Sequence, residues 1–125
     1  MIERRVLGVV IVGAGFIGHF NARSWAGVRD ADIVGVTSRE GAADLVEAVR
    51  TAGFGDAQVY EDVRAMVRDP KVDAVCVLVP NDARLEVVEA ICDEVTSGRA
   101  ELIGVAIEKP LARSVVEARR LVEMV

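Results

Sequence analysis

The run Val6-Leu7-Gly8-Val9-Val10-Ile11-Val12 is apolar throughout and rich in β-branched residues, and it ends directly in Gly13-Ala14-Gly15-Phe16-Ile17-Gly18. A run of this length without polar alternation suits a strand buried on both faces, as the central strands of a parallel sheet are. The glycines form G-x-G-x-x-G at the end of that strand, and Ile17, Phe20, Asn21 and Ser24 then recur at helical spacing. The three glycines serve different ends. Gly13 permits a tight turn, Gly15 lets the main chain approach a diphosphate, and Gly18 lets the new helix pack closely on its strand. The free N–H groups and positive dipole end of that helix then form an anion site. Gly13, Ala14, Gly15, Phe16, Ile17 and Gly18 are therefore candidate cofactor-binding residues. The spacing alone also describes an ordinary βα turn; its place between a buried strand and a helix is what favours a nucleotide.

The remaining chain repeats the alternation. Ala31 to Thr37 reads as a second strand after the break Val28-Arg29-Asp30, and Ala42, Leu45, Val46 and Val49 mark a helix closed by Gly53 and Gly55. Gln58-Val59-Tyr60 is a short third strand, followed by a brief helix with Val63, Met66 and Val67 that stops at Asp69-Pro70. Val72 to Val79 is a second strongly buried strand, broken by Pro80-Asn81. Leu85, Val88, Ile91 and Val95 mark a helix ending near Gly98, and Glu101 to Ile107 reads as a fifth strand. Ser114-Val115-Val116-Glu117 is a capping box opening a last helix, with Val115, Ala118, Val122 and Val125 along one stripe. Strands alternating with helices imply an α/β fold with right-handed crossovers. The expectation is a doubly wound parallel sheet of Rossmann type in the order 3-2-1-4-5, with residues 1–125 as one domain and the sixth strand absent.

A chain of 125 residues is long enough to bury a real core. Its net charge of −5 argues against nucleic acid or an anionic membrane as partner, since each needs a basic footprint. Cys76 and Cys92 lie far apart with no C-x-x-C spacing, so both read as reduced, structural thiols, and no metal is expected. No apolar run approaches the roughly 20 residues that span a bilayer, and Met1-Ile2-Glu3-Arg4-Arg5 leads into the first strand without a cleavable signal. The expected location is the cytoplasm.

In sheets of this type ligands bind beyond the carboxyl ends of the strands. That rule selects Gly13 to Gly18, Ser38-Arg39, Val79-Pro80-Asn81 and Glu108-Lys109-Pro110. Ser38-Arg39 stands where an acidic residue would accept the ribose 2′-hydroxyl of NAD; a hydroxyl beside a guanidinium instead fits a 2′-phosphate and favours NADP. The alternative has Ser38 capping the next helix, with Glu40 taking the ribose. Asn81 is placed to reach a ribose or nicotinamide group, or else caps the following helix. Lys109, at the end of an apolar strand, is placed where a cofactor's reactive end would lie; burial would lower its pKa and make it a proton donor or polarising cation. Otherwise it is half of a surface pair with Glu108. His19 reads as structural or solvated. Tyr60 has Arg64 four positions on rather than lysine, which disfavours tyrosine-lysine chemistry.

Gly13-Ala14-Gly15-Phe16-Ile17-Gly18, Asp73 to Asn81, and Glu108-Lys109-Pro110-Leu111-Ala112 with Glu117-Ala118 beyond together resemble the amino-terminal domain of the glucose-fructose oxidoreductase and inositol dehydrogenase family, Gfo/Idh/MocA. The resemblance runs along essentially the whole chain. It implies a nicotinamide-dependent oxidoreductase acting on sugars, cyclitols or related hydroxyl and carbonyl compounds. It also implies that Lys109 contacts the nicotinamide ribose and the reacting oxygen, that Glu108 orders the loop, and that Pro110 follows a cis peptide bond. Val79, Arg84 and Asn21 stand where the family commonly has threonine, histidine and histidine. Family members carry a second domain that supplies most substrate contacts, so a small-molecule substrate is expected only together with that carboxyl-terminal domain, which this sequence lacks. Two further readings stand beside the cofactor-binding one: a non-catalytic dinucleotide-binding or regulatory module whose open edge pairs with a partner chain or a second copy, and a chain retaining only the fold.

Overall fold

The computed structural model describes residues 5–125, so Met1 to Arg4, and with them most of the segment that bears on a leader, lie outside the described residues. Five strands, β1 (Leu7–Val12), β2 (Ala31–Thr37), β3 (Gln58–Val59), β4 (Ala74–Val77) and β5 (Gly104–Ile107), alternate with helices α1 (Phe16–Arg23), α2 (Ala42–Ala52), α3 (Val63–Arg68), α4 (Arg84–Thr96) and α5 (Val115–Met124). A 3-10 turn, Ser24–Gly27, follows α1. All pairings are parallel and the sheet order is β3-β2-β1-β4-β5, as the alternation predicts.

β1 is the centre because it is apolar on both faces. Ile11 packs with Ile33, Val36, Leu45 and Val49 on the α1–α2 side, and Val10 and Val12 pack with Met66, Val67, Val75 and Ile91 on the α3–α4 side. Each such fully buried aliphatic side chain stabilises the fold by about 1.5–3 kcal/mol. The regular part of β4 is shorter than the apolar run around it. Asp73 N–H still donates to the Gly8 carbonyl at 2.7 Å and Leu78 N–H to the Val12 carbonyl at 2.8 Å, so hydrogen bonding continues past both ends. β5 likewise starts at Gly104 rather than Glu101, Ile103 N–H being bonded to the Asp73 carbonyl.

The helices depart from their expected faces in three places. Gly18 and Ala22 form the buried side of α1, and Phe16 and Phe20 stack on its exposed side with ring centroids 6.2 Å apart. On α4, Val88 and Ile91 are buried as expected, but the next inward position is Glu94, and Val95 faces out. On α5 the expected stripe is overturned: Val115, Val122 and Val125 are exposed and Leu121 is the buried residue, because Leu121 lies about 100° around the helix from Val122 and the longer side chain takes the core position. Ser114 does cap α5, accepting from Glu117 N–H at 3.2 Å, but the Glu117 carboxylate bonds Arg113 instead of closing a full box.

Candidate functional site

Parallel register aligns the carboxyl ends of the strands. Val12 lies opposite Thr37 on one side and Val77 on the other, and Val77 lies opposite Ile107. The chain therefore leaves the sheet at Gly13, Ser38, Leu78 and Glu108 along one edge, and all four candidate segments start there.

The β1–α1 turn needs its glycines for different reasons. Gly13 has φ +110°, and a Cβ there would lie 2.8 Å from the Leu78 carbonyl oxygen, so backbone angle and neighbour both exclude a side chain. A Cβ on Gly18 would lie 2.2 Å from the Gly13 carbonyl oxygen, which is how closely the helix folds back on its turn. At Gly15 a Cβ would meet nothing within 4 Å. Gly15 is the N-cap of α1, and no side chain caps the helix. The Gly13 N–H is held by the Thr37 carbonyl, so the N–H groups left to a ligand are those from Gly15 onward, at the start of α1. No Cβ stands above Gly15 there, a cradle that suits a diphosphate.

Ser38 takes a role that was not anticipated: its hydroxyl oxygen accepts the Ala14 N–H at 3.1 Å, tying the end of β2 to the glycine turn. It does not cap α2. The N-cap there is Gly41, at φ +78°, because the chain enters that helix through a left-handed residue. With one lone pair engaged by an amide, the Ser38 O–H is left to donate, which suits a phosphate or ribose oxygen.

Ser38 and Arg39 line a cleft of about 490 Å³, within the usual range of ligand pockets. Val12, Val63, Val79 and Val87 give it apolar walls, and Glu61, Asp62, Arg64 and Glu86 add charge. Glu40 is exposed and is not among the lining residues. The α3 and α4 contributions were missed in the sequence, although parallel pairing of β3 places whatever follows Tyr60 on this same edge. The glycine turn, Asn81 and Glu108-Lys109-Pro110 start from the edge but do not line this cleft.

At the end of β4, Ala83 N–H donates to the Pro80 carbonyl at 3.0 Å and closes a turn. Asn81 does not cap α4; the N-cap is Ala83, with no side-chain bond. The turn is held from below by Arg84, only 4% exposed, whose Nε donates to the Val79 carbonyl at 3.1 Å and whose Nη1 is buried without a partner among the described residues. At the end of β5, Glu108 N–H bonds the Val77 carbonyl, the Glu108 carboxylate accepts Lys109 N–H at 2.9 Å, and Lys109-Pro110 is cis. Lys109 itself is exposed, so the expected burial is not found: β5 is the outer strand, with a neighbour on one side only.

Behind the cleft, α3 and α4 are joined through Glu94, which is fully buried. Its carboxylate accepts from Arg68 at 2.6 and 2.9 Å, from Arg99 at 2.9 Å and from Arg64 at 3.1 Å, and Arg64 also donates to Asp93 at 3.1 Å. The bonds from Arg68 and then Arg99, with a smaller contribution from Arg64, hold the Glu94 carboxyl far below the ordinary carboxylate range against the opposing effect of burial. Tyr60 is structural: its hydroxyl donates to Asp69 at 2.6 Å, and burial, then that bond, push the phenol up. Burial likewise pushes both thiols up, and both are free. Among the described residues no helix is long and apolar enough to cross a membrane.

Residues 7–125 match the Gfo/Idh/MocA model, an oxidoreductase family with an NAD-binding Rossmann fold. Comparison with curated proteins returned no match. Among solved structures, myo-inositol dehydrogenase from Lactobacillus casei, in complex with NAD(H) and myo-inositol, aligns with a TM-score of 0.74 and 27% identity over 95% of this chain and 33% of its own. Biliverdin reductase from Synechocystis, in complex with biliverdin and NADP+, aligns at 0.72 and 21% over 94% and 34%. UDP-N-acetylglucosamine 3-dehydrogenase from Acidithiobacillus ferrooxidans aligns at 0.69 and 24% over 94% and 34%. These last two likenesses are likenesses of fold. The chain spans about a third of the length of the structures it matches. Carrying the glycine turn, the strand order and the family match together, the chain belongs to the Gfo/Idh/MocA oxidoreductase family and corresponds to its NAD-binding Rossmann domain.

Proposed function

We propose that the chain, as one cofactor-binding domain acting in the cytoplasm, holds NADP(H) or NAD(H) along the carboxyl edge of its sheet. It would serve an oxidoreductase acting on a sugar, cyclitol or related hydroxyl or carbonyl compound. The observation that carries this reading is the open space above Gly15 at the uncapped start of α1. The N–H groups from Gly15 onward, at the start of α1, hold the diphosphate, while those of Gly13 and Ala14 are engaged by Thr37 and Ser38 and fix the shape of the turn. Ser38 donates its O–H, and Arg39 its guanidinium, to the 2′-phosphate in the neighbouring cleft, which favours NADP over NAD. Val79, Pro80 and Asn81 flank the ribose and nicotinamide. When bound, the nicotinamide supplies or takes up the hydride. Lys109 steadies charge on the reacting oxygen, and Glu108, by accepting the Lys109 amide, orders the loop that presents it.

Titration of the chain with NADP and NAD tests this directly. NADP should bind more tightly, and Arg39→Ala should weaken it about tenfold, the value of one charge-assisted hydrogen bond or ion pair; no binding of either nucleotide at millimolar concentration would sink the reading. In a longer chain with turnover, Lys109→Ala should reduce the rate by roughly 100-fold, and full retained activity would remove Lys109 from the chemistry.

A second reading, a dinucleotide-binding module covered by a partner chain or a second copy, draws on the open edge of β5 and an adjoining groove of about 240 Å³ lined by Ile91, Val95, Ile103 and Val125. Sedimentation of the chain tests the second-copy form of it: a monomer that binds NADP rules out a covering copy of this chain.

A further inference from the structure

The cluster around Glu94 does more than brace α3 against α4, because one of its arginines reaches the cleft. Arg64, Arg68 and Arg99 all bond Glu94, yet of the three only Arg64 lines the cleft shared by Ser38 and Arg39. Three guanidiniums meet Glu94 and Asp93, and Asp62 also acts on Arg68, so what Arg64 brings to the cleft is its free donors rather than a surplus of charge in the cluster. The Arg64 side chain is 42% exposed and gives one N–H from Nη1 to Glu94 and one from Nη2 to Asp93. Three of its five N–H donors remain unused. Because α4 already fixes the guanidinium, a ligand that binds it need not immobilise a free side chain, which removes part of the usual entropic penalty. Three carboxylates line the same cleft as Arg39 and Arg64. Asp62 is fixed as the N-cap of α3 with its oxygen taken up by Ala65 N–H, while Glu61 and Glu86 are exposed, make no hydrogen bond or ion pair among the described residues, and are free to turn away from an anion.

We propose that Arg64 is a cofactor-selecting residue that takes the 2′-phosphate of the adenosine ribose from the α3 side of the cleft, while Ser38 and Arg39 take it from the end of β2. Its guanidinium is held in place by bonds to Glu94 and Asp93. This rests on the cofactor-binding reading and adds to it a second cation for the phosphate. A planar guanidinium can also stack on adenine, but that contact is blind to the 2′-phosphate, and the choice of probe separates the two.

The test is calorimetric titration of the 125-residue chain with 2′,5′-ADP, which carries the 2′-phosphate, and with 5′-AMP, which lacks it. The unaltered chain binds 2′,5′-ADP more tightly. Arg64→Ala and Arg64→Gln weaken 2′,5′-ADP about tenfold or more and leave 5′-AMP within about twofold. Arg68→Ala loses equally direct bonds to Glu94 without touching the cleft; it lowers the thermal midpoint and leaves the preference intact. Equal weakening of both probes by the Arg64 variants, no change in either, or an equal loss of preference in Arg68→Ala overturns the proposal. If Arg39→Ala abolishes the preference and the Arg64 variants keep it, only the assignment of Arg64 falls. If the unaltered chain binds neither probe, the cofactor-binding reading falls with it.

Discussion

The turns that follow β1 and β4 meet on the carboxyl edge, and they are held by opposite means. After β1 the turn is shaped by missing side chains: Gly13 lies against the Leu78 carbonyl, Gly18 against the Gly13 carbonyl, and no side chain caps α1. After β4 it is shaped by buried charge: Arg84 reaches back to the Val79 carbonyl, and further along the same helix Glu94 draws in three arginines. The first device leaves main-chain amides open to a ligand and has almost no steric tolerance. The second closes charge inside the protein, and its strength depends on protonation.

The largest expected effect comes from crowding the first device. Gly18→Ala places a Cβ 2.2 Å from a backbone oxygen that no side-chain rotation can move. We expect a loss of roughly 3 kcal/mol in urea unfolding, at the upper end of overpacking effects. Gly13→Ala adds an unfavourable positive φ to a 2.8 Å approach and should be at least as damaging. A loss below about 1 kcal/mol in either variant would mean that the turn relaxes, and that close packing is not what shapes it.

The second device should answer to acid. Hydrogen bonds from Arg68, Arg99 and Arg64 depress the Glu94 carboxyl in the folded state, so the unfolded chain takes up that proton more readily. The stabilisation is complete above the ordinary glutamate pKa of about 4.3 and is lost as pH falls below it towards the depressed folded value. Asp69, depressed by Tyr60, and Glu117, depressed by Arg113, act in the same direction and keep part of the slope. Glu94→Gln should therefore lower the thermal midpoint at pH 7 and flatten, without abolishing, its decline below about pH 4. An acid limb of unchanged steepness would show that the cluster contributes no linkage.

The same contrast explains what could be read in advance. The β1 turn is written in residue types: a β-branched run ending in spaced glycines has few structural solutions, and the strand order follows once the alternation is seen. Glu94 was hidden because a carboxylate next to Val95 looks like a surface position. Its signal was relational, an acid three residues past Ile91 on the buried face, opposite Arg64 and Arg68 at i, i+4 on the preceding helix. Arg84 was legible only as a departure from the family's usual histidine, since sequence says nothing of which carbonyl a guanidinium will reach. On α5 two apolar stripes compete, and only packing against α4 decides for Leu121.

Smaller effects come from the contact that joins β2 to the glycine turn. Ser38→Ala removes the acceptor of the Ala14 N–H and should cost about 1 kcal/mol in urea unfolding. It should also weaken NADP more than NAD, if the hydroxyl donates to the 2′-phosphate as proposed. Equal weakening of the two nucleotides would assign Ser38 to the geometry of the turn and leave phosphate selection to the arginines.

The smallest effect on folding is expected at Gly15, and it divides the comparison most finely. Its φ of −82° and ψ of −159° are open to alanine, and a Cβ there meets nothing within 4 Å. Gly15→Ala should therefore leave stability unchanged or raise it by up to about 1 kcal/mol, through a less flexible unfolded chain. The same methyl would stand in the space through which a diphosphate approaches the start of α1, so nucleotide affinity should fall at least tenfold, about 1.4 kcal/mol or more. Gly18→Ala and Gly15→Ala thus separate two reasons for a glycine three residues apart in one motif, the first needed by the fold and the second by the ligand. An alanine at position 15 that binds NADP as tightly as glycine would place the diphosphate elsewhere on the edge, and Ser38, Arg39 and Arg64 would then have to be reassigned with it.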